Sequence, residues 1–181
     1  SIPTSQFKDS YLAWANHSHP QLGNDGKEYP LFESYGWRYV TAILYAMKQN
    51  PTVFSDPGYK AKYDNILAFT EKNIWEKWYS RGLGNLYREA THMASHWAMI
   101  GIYLSLLTDD AAKKTQYDAV WKNIAISGIP AYSGASLKGQ LQSNPIDATA
   151  YWWNWTWNSF ARPGSDVSHG NAVASFMVES N

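Results

Sequence analysis

The chain has 181 residues, 15 acidic against 15 basic side chains, and no cysteine. That length suits one domain with a real core, and the even charge balance excludes nucleic acid and an anionic membrane surface as expected partners. Without cysteine there can be no disulfide, thiolate nucleophile or Cys-ligated metal. No apolar stretch is long enough to span a bilayer, and no signal peptide is visible.

Taken in order, Ser5–Asn16 reads as a short amphipathic helix with Phe7, Tyr11, Trp14 and Ala15 on one stripe. His17–Tyr29 carries turn signals, His17-Ser-His-Pro20 and Gly23-Asn-Asp-Gly26, and is expected to be a loop. Pro30–Gln49 reads as a helix that is apolar on most sides and stops at Asn50-Pro51, because proline disfavours helix in the residue before it. A short turn through Asp56-Pro57-Gly58 leads into an amphipathic helix over Tyr59–Trp78.

After a loop with Gly82 and Gly84 comes Tyr87-Arg-Glu-Ala-Thr-His-Met-Ala-Ser-His-Trp97 and the uncharged run Ala98–Leu107. This run reads as a buried helix whose first turns carry His92 and His96 on one face. A Thr108-Asp-Asp110 turn with N-cap chemistry precedes an amphipathic helix over Ala111–Ile126. Ser127–Ser165 is a long connection containing Tyr151-Trp-Trp-Asn-Trp-Thr-Trp157, and a capped helix from Asp166 to about Ser180 closes the chain.

One-sided helices, starting near residues 5, 59 and 111, therefore alternate with more uniformly apolar ones starting near 33, 91 and 167. The apolar helices open alike, on Ser34-Tyr-Gly-Trp, Ser95-His-Trp-Ala and Ser168-His-Gly-Asn, as in a degenerate repeat. A helix apolar all round needs cover on both sides, whereas a one-sided helix can lie outside. The pattern predicts a single all-α domain over 1–181. Its antiparallel hairpins would form an α/α toroid or part of one, with the long loops gathered at one rim.

Thr91-His-Met-Ala-Ser-His-Trp-Ala and Asp166-Val-Ser-His-Gly-Asn171 resemble the starts of inner helices in α/α-toroid carbohydrate-active enzymes, above all lyases of uronic-acid polysaccharides such as alginate. The resemblance implies cleavage of an acidic polysaccharide by β-elimination and a location outside the cell. Complete toroids of that group have more hairpins than the three counted here. The expectation is therefore a partial toroid, truncated at the C-terminus and completed by a missing segment or a second chain.

β-Elimination needs a group that neutralises the uronate carboxylate, a base for the proton alpha to it, and an acid for the leaving oxygen. Asn171 and Arg88 fit the first task, His96 or His169 the second, and Tyr87 or Tyr35 the third. His96 and His169 are the expected principal pair, from their equivalent places in the repeat. Ten Trp and thirteen Tyr give the chain an aromatic excess. These residues bring polar atoms that need partners, and such faces stack on sugar rings. Trp37, Trp97, Trp152, Trp153, Trp155 and Trp157, with His92 and Tyr35, are the expected substrate-binding residues.

Three alternatives stay open. A glycoside hydrolase would use two carboxylates among Glu33, Glu89, Asp147 and Asp166, although Asp166 also suits an N-cap and Glu33 and Glu89 suit first turns. A saccharide-binding helical module would need the aromatics alone. No cofactor is required, but His92 and His96 could share a divalent ion, with His17 and His19 adding ligands. The His-Glu-x-x-His pattern of metalloproteases is absent.

Overall fold

The computed structural model describes residues 2–3, 6–7, 9–13, 15–16, 19–20, 22–23, 25–157 and 166–180. The protein is mostly helical, which agrees with the all-α expectation. Its contacts divide the chain into two compact units, Ser1–Asn85 and Leu86–Asn181. Among the described residues no helix is long and apolar enough to cross a membrane.

The first unit opens on short strands rather than the helix expected over 5–16. β1 (Ile2–Pro3) pairs antiparallel with β2 (Leu12–Ala13), and β3 (Ala15–Asn16) with β4 (His19–Pro20). Partners remote in sequence decide this: Leu12 N donates to Asn73 Oδ1 at 2.9 Å, and Lys77 Nζ donates to Leu12 O at 3.2 Å. These bonds hold the backbone extended against a weak local helical pattern. Trp14, part of that pattern, lies outside the described residues.

α1 (Pro30–Gln49) begins with proline at its first position, where the missing N–H is no loss. The turn expected after it is itself a helix, α2 (Pro51–Ser55), capped by Asn50 Oδ1 on Thr52 N and Val53 N. Asp56 caps α3 (Pro57–Phe69) in the same way. α3 continues through a π-helical stretch, Thr70–Glu76, into α4 (Lys77–Ser80). Across this join Thr70, Asn73, Ile74, Trp75, Lys77 and Trp78 are all buried. α1 is not the fully covered inner helix that its composition predicts: Tyr35, Tyr39 and Ile43 are 58%, 51% and 59% exposed.

The second unit is built on α5 (Thr91–Leu107), buried at every position except Met93 and Leu106. Asp110 accepts from Ala112 N and Lys113 N, turning the chain into α6 (Ala111–Lys122), which packs back along α5 and ends in a π-helical turn over Asn123–Ser127. Tyr117, Val120 and Ile124 are its buried side chains, each stabilising the unit by roughly 1.5–3 kcal/mol.

The long connection that follows is partly ordered into elements. It holds a 3-10 turn (Pro130–Tyr132), α7 (Leu137–Gln140) and a hairpin of β5 (Gln142–Ser143) with β6 (Tyr151–Trp152). The hairpin's turn is closed by Asn144 Oδ1 on Ile146 N, and Ile146 is 95% exposed. α8 (Val167–Glu179) packs on α5 through Ala172, Val173 and Phe176, while Val167 and Val178 remain exposed. Of the three helices expected to be covered all round, only α5 is. Apolar composition alone did not separate a buried helix from a one-sided one with surface aromatics and valines.

Candidate functional site

The start of α5 is stitched to the tryptophan segment. Ala90 bridges Thr156, and Thr91 N, one of the donors a helix start leaves without an intrahelical acceptor, bonds Trp155 O at 3.0 Å. Thr91 Oγ1 donates to the same carbonyl at 3.1 Å. Trp157 closes the seam, its indole N–H on Arg88 O at 2.7 Å and its amide on Glu89 O at 3.3 Å. Segments far apart in sequence are thereby fixed side by side.

On this frame three imidazoles gather. The ring of His92 lies 4.4 Å from that of His169, 6.5 Å from that of His96 and 5.9 Å from that of Trp155. His96 and His169, expected to share a site, both flank His92. His92 is buried, and its Nδ1 has no hydrogen-bond partner among the described residues. Burial first, and the neighbouring His169 second, push the His92 pKa down from 6.5 to about 4, so it is neutral at neutral pH.

His169 is partly exposed, and its Nδ1 is hydrogen-bonded to Asp166 Oδ2. Asp166 also caps α8 by accepting from His169 N at 3.1 Å and from Ser168 Oγ at 2.5 Å. Hydrogen bonds from Ser168 and His169 hold its carboxyl well below the usual carboxylate range. The cap reading of Asp166 and a second role, orienting His169, are both present. The three-residue spacing Asp166-Val-Ser-His169 at a helix start was the available signal for that second role.

Two hollows adjoin these residues. The larger, about 380 Å³, is walled by Tyr151, Trp152, Trp153, Asp166, Gly170 and Asn171 among others. The smaller, about 190 Å³, is lined by Arg88, Glu89, Ala90, Met93, Trp155 and Thr156. Asp166 is shared by the larger hollow and His169, and Trp155 by the smaller hollow and His92. Arg88 Nε has no hydrogen-bond partner among the described residues.

Other predicted residues fall elsewhere. Trp97 is fully buried and Trp157 is 5% exposed, so both belong to the core rather than to a ligand-facing wall. Tyr87 is buried too, and its hydroxyl accepts from Asn123 Nδ2 at 2.9 Å. Trp37 and Tyr35 belong to the first unit, where Trp37 stacks on Phe69 at 5.5 Å and Tyr35 is exposed on α1. Among the described residues no three His, Asp or Glu side chains form a group that could hold a metal ion. His17 and the His19 side chain lie outside the described residues.

The carboxylates weighed for hydrolysis are dispersed in role. Glu89 and Asp147 are exposed, and Asp147 accepts from Thr149. Glu33 is fully buried in the first unit, where it accepts from Lys77 Nζ at 2.7 Å and from the Trp78 indole. Lys77 also bonds Glu28, whose other oxygen accepts from Arg81 at 2.9 Å, and Arg81 forks onto Asp9 at 2.9 and 3.0 Å. Glu33 thus belongs to a closed internal network, which sequence spacing could not reveal.

No protein-family model, curated protein or solved structure matches the chain.

Proposed function

We propose that the second unit carries the catalytic site of a polysaccharide lyase acting on an acidic, uronate-containing polymer, on a chain that forms part of an α/α toroid. The observation that carries this reading is the Asp166–His169 pair at the edge of a hollow walled by Tyr151, Trp152 and Trp153. The α5–α6 hairpin and the packing of α8 on α5 support the α/α array.

In this reading Asp166 holds the proton on His169 Nδ1 and leaves Nε2 as the basic nitrogen. Nε2 takes the C5 proton of the uronate. The electron pair forms the C4–C5 double bond as the C4–oxygen bond breaks, and the resulting imidazolium returns its proton to the leaving oxygen. Asn171 in the hollow, or Arg88 beside Trp155, neutralises the carboxylate so that the C5 proton becomes acidic. Aromatic faces stack on the sugar ring while amides bond its edge. Neutral, buried His92 packs against the base, and Tyr87 takes no part.

Ultraviolet absorbance during incubation with alginate, glucuronan and glycosaminoglycans tests this, because elimination leaves an unsaturated sugar. Asp166→Asn keeps an equally good N-cap but removes the charge that orients His169. Product from the wild type, with a loss of about a hundredfold or more in the variant, is expected. No absorbance on any uronate polymer, or an unimpaired variant, overturns the reading. Reducing ends without absorbance would make the enzyme a hydrolase.

A further inference from the structure

The first unit holds a cation that its own described residues do not neutralise. Arg38 lies in the apolar middle of α1 and is 3% exposed, yet neither Nε nor Nη1 has a hydrogen-bond partner among the described residues. Among the described residues its one polar contact is Nη2 on the Tyr39 hydroxyl at 2.5 Å. The guanidinium carbon otherwise lies over two rings, 4.5 Å from the centroid of Tyr39 and 5.2 Å from that of Tyr35.

A guanidinium stays protonated at any physiological pH, and removing it from water without an anion is unfavourable. Cation–π contacts with tyrosine recover only part of that loss. The same unit shows the ordinary solution: Lys77 has Glu28 and Glu33, and Arg81 has Glu28 and Asp9. Arg38 has none of these carboxylates. The rings over it are 58% and 51% exposed, so the aromatic cover faces solvent.

We infer that Arg38, with Tyr35 and Tyr39, is a binding site for a ring-borne carboxylate, that of an acidic sugar. Nη2 shares one edge of the guanidinium with Nε and the other with Nη1, so once the Tyr39 hydroxyl turns off Nη2 an edge is open for a carboxylate to take bidentately, and the two phenol faces suit the pyranose ring that carries it. Tyr39 swings aside to admit the anion; a half-exposed side chain changes rotamer on the picosecond to nanosecond scale. Sulfate or phosphate would satisfy the charge, but neither brings a ring for the tyrosines. The site needs no catalysis, and it does not depend on His169.

The test is read on the wild-type chain, so that a misfolded variant cannot obscure it. With arginine labelled in ¹⁵N, the Nε–H resonance of Arg38 is assigned by its loss in Arg38→Lys and followed during titration with an oligoglucuronate. The neutral oligoglucoside, a sulfated oligosaccharide and inorganic phosphate are titrated alongside. The expected result is a saturable shift with oligoglucuronate at a concentration at least about tenfold below that needed for any of the other three. Equal response to phosphate or to sulfated sugar overturns the carboxylate assignment, and no response to any anion overturns the site. Histidine ring resonances recorded in the same titration report the second unit, so failure at Arg38 and failure of the lyase reading are separable.

Discussion

Around Lys77 the buried polar groups complete one another: two carboxylates accept from the ammonium, and the second oxygen of each is taken by Arg81 or the Trp78 indole. Around His92 they do not. Among the described residues one ring nitrogen there lacks a partner, the imidazole of His169 is half open, and Asp166 and Trp155, which lie against these rings, each line a hollow. His92 and His96 are buried much as Lys77 and Glu33 are, so burial of single residues is not what distinguishes a structural cluster from a site. Completeness is: a saturated network rigidifies the fold, and an unsaturated one holds capacity for a ligand.

His169→Ala should reduce elimination by about 10²–10⁴-fold, the range for a lost general base, while its urea midpoint stays near that of the wild type because the ring is partly exposed. A variant that loses stability in proportion to activity would put His169 with the structural group. Lys77→Met should do the opposite, removing about 3–5 kcal/mol of stability by leaving buried carboxylates without their cation. Equilibrium urea denaturation measures it, and a loss under about 1 kcal/mol would show that the first cluster is not what holds its unit together.

The two clusters should also respond to pH with opposite sign. Burial raises the Glu33 pKa from 4.5 to about 7 against the pull of Lys77. Its contribution to stability is therefore full below pH 4.5 and is lost as pH rises through 7. His92, depressed from 6.5 to about 4, contributes fully above 6.5 and loses that contribution as pH falls through 4. Between pH 5 and 8 the advantage of the wild type over Glu33→Gln should shrink, and its advantage over His92→Gln should grow. Urea midpoints at the two pH values decide it, and slopes of the same sign would undo the contrast. The smallest effect lies outside both clusters: Asp110→Ala should cost about 1 kcal/mol through loss of the α6 cap alone, with elimination unchanged.

What could be seen in the sequence was mostly local. Pro30, Asn50-Pro51, Asp110 and Asp166 marked helix limits because capping and proline chemistry act within a few residues, and the uncharged run 98–107 marked α5. His96 and His169 were legible as a pair through the repeated helix starts, and His92 through its four-residue spacing from His96. Leu12, Lys77 and Glu33 were not, since their partners lie 44 to 65 residues away. The exposure of α1 and α8 was missed for a related reason: composition records how apolar a face is, and not whether anything covers it. Arg38 did leave a trace, as the single basic residue within the apolar middle of α1.

The loop between β5 and β6 has a practical consequence. It is closed by its own side chains, Asn144 on Ile146 N and Asp147 on Thr149, and its tip is nearly bare. A fluorophore attached through a cysteine placed at Ile146, the chain having no native thiol to compete, would sit a few residues from the Tyr151–Trp153 wall. Indole quenching of that dye would then report occupancy of the hollow in real time, with no need for the saccharide to be cleaved.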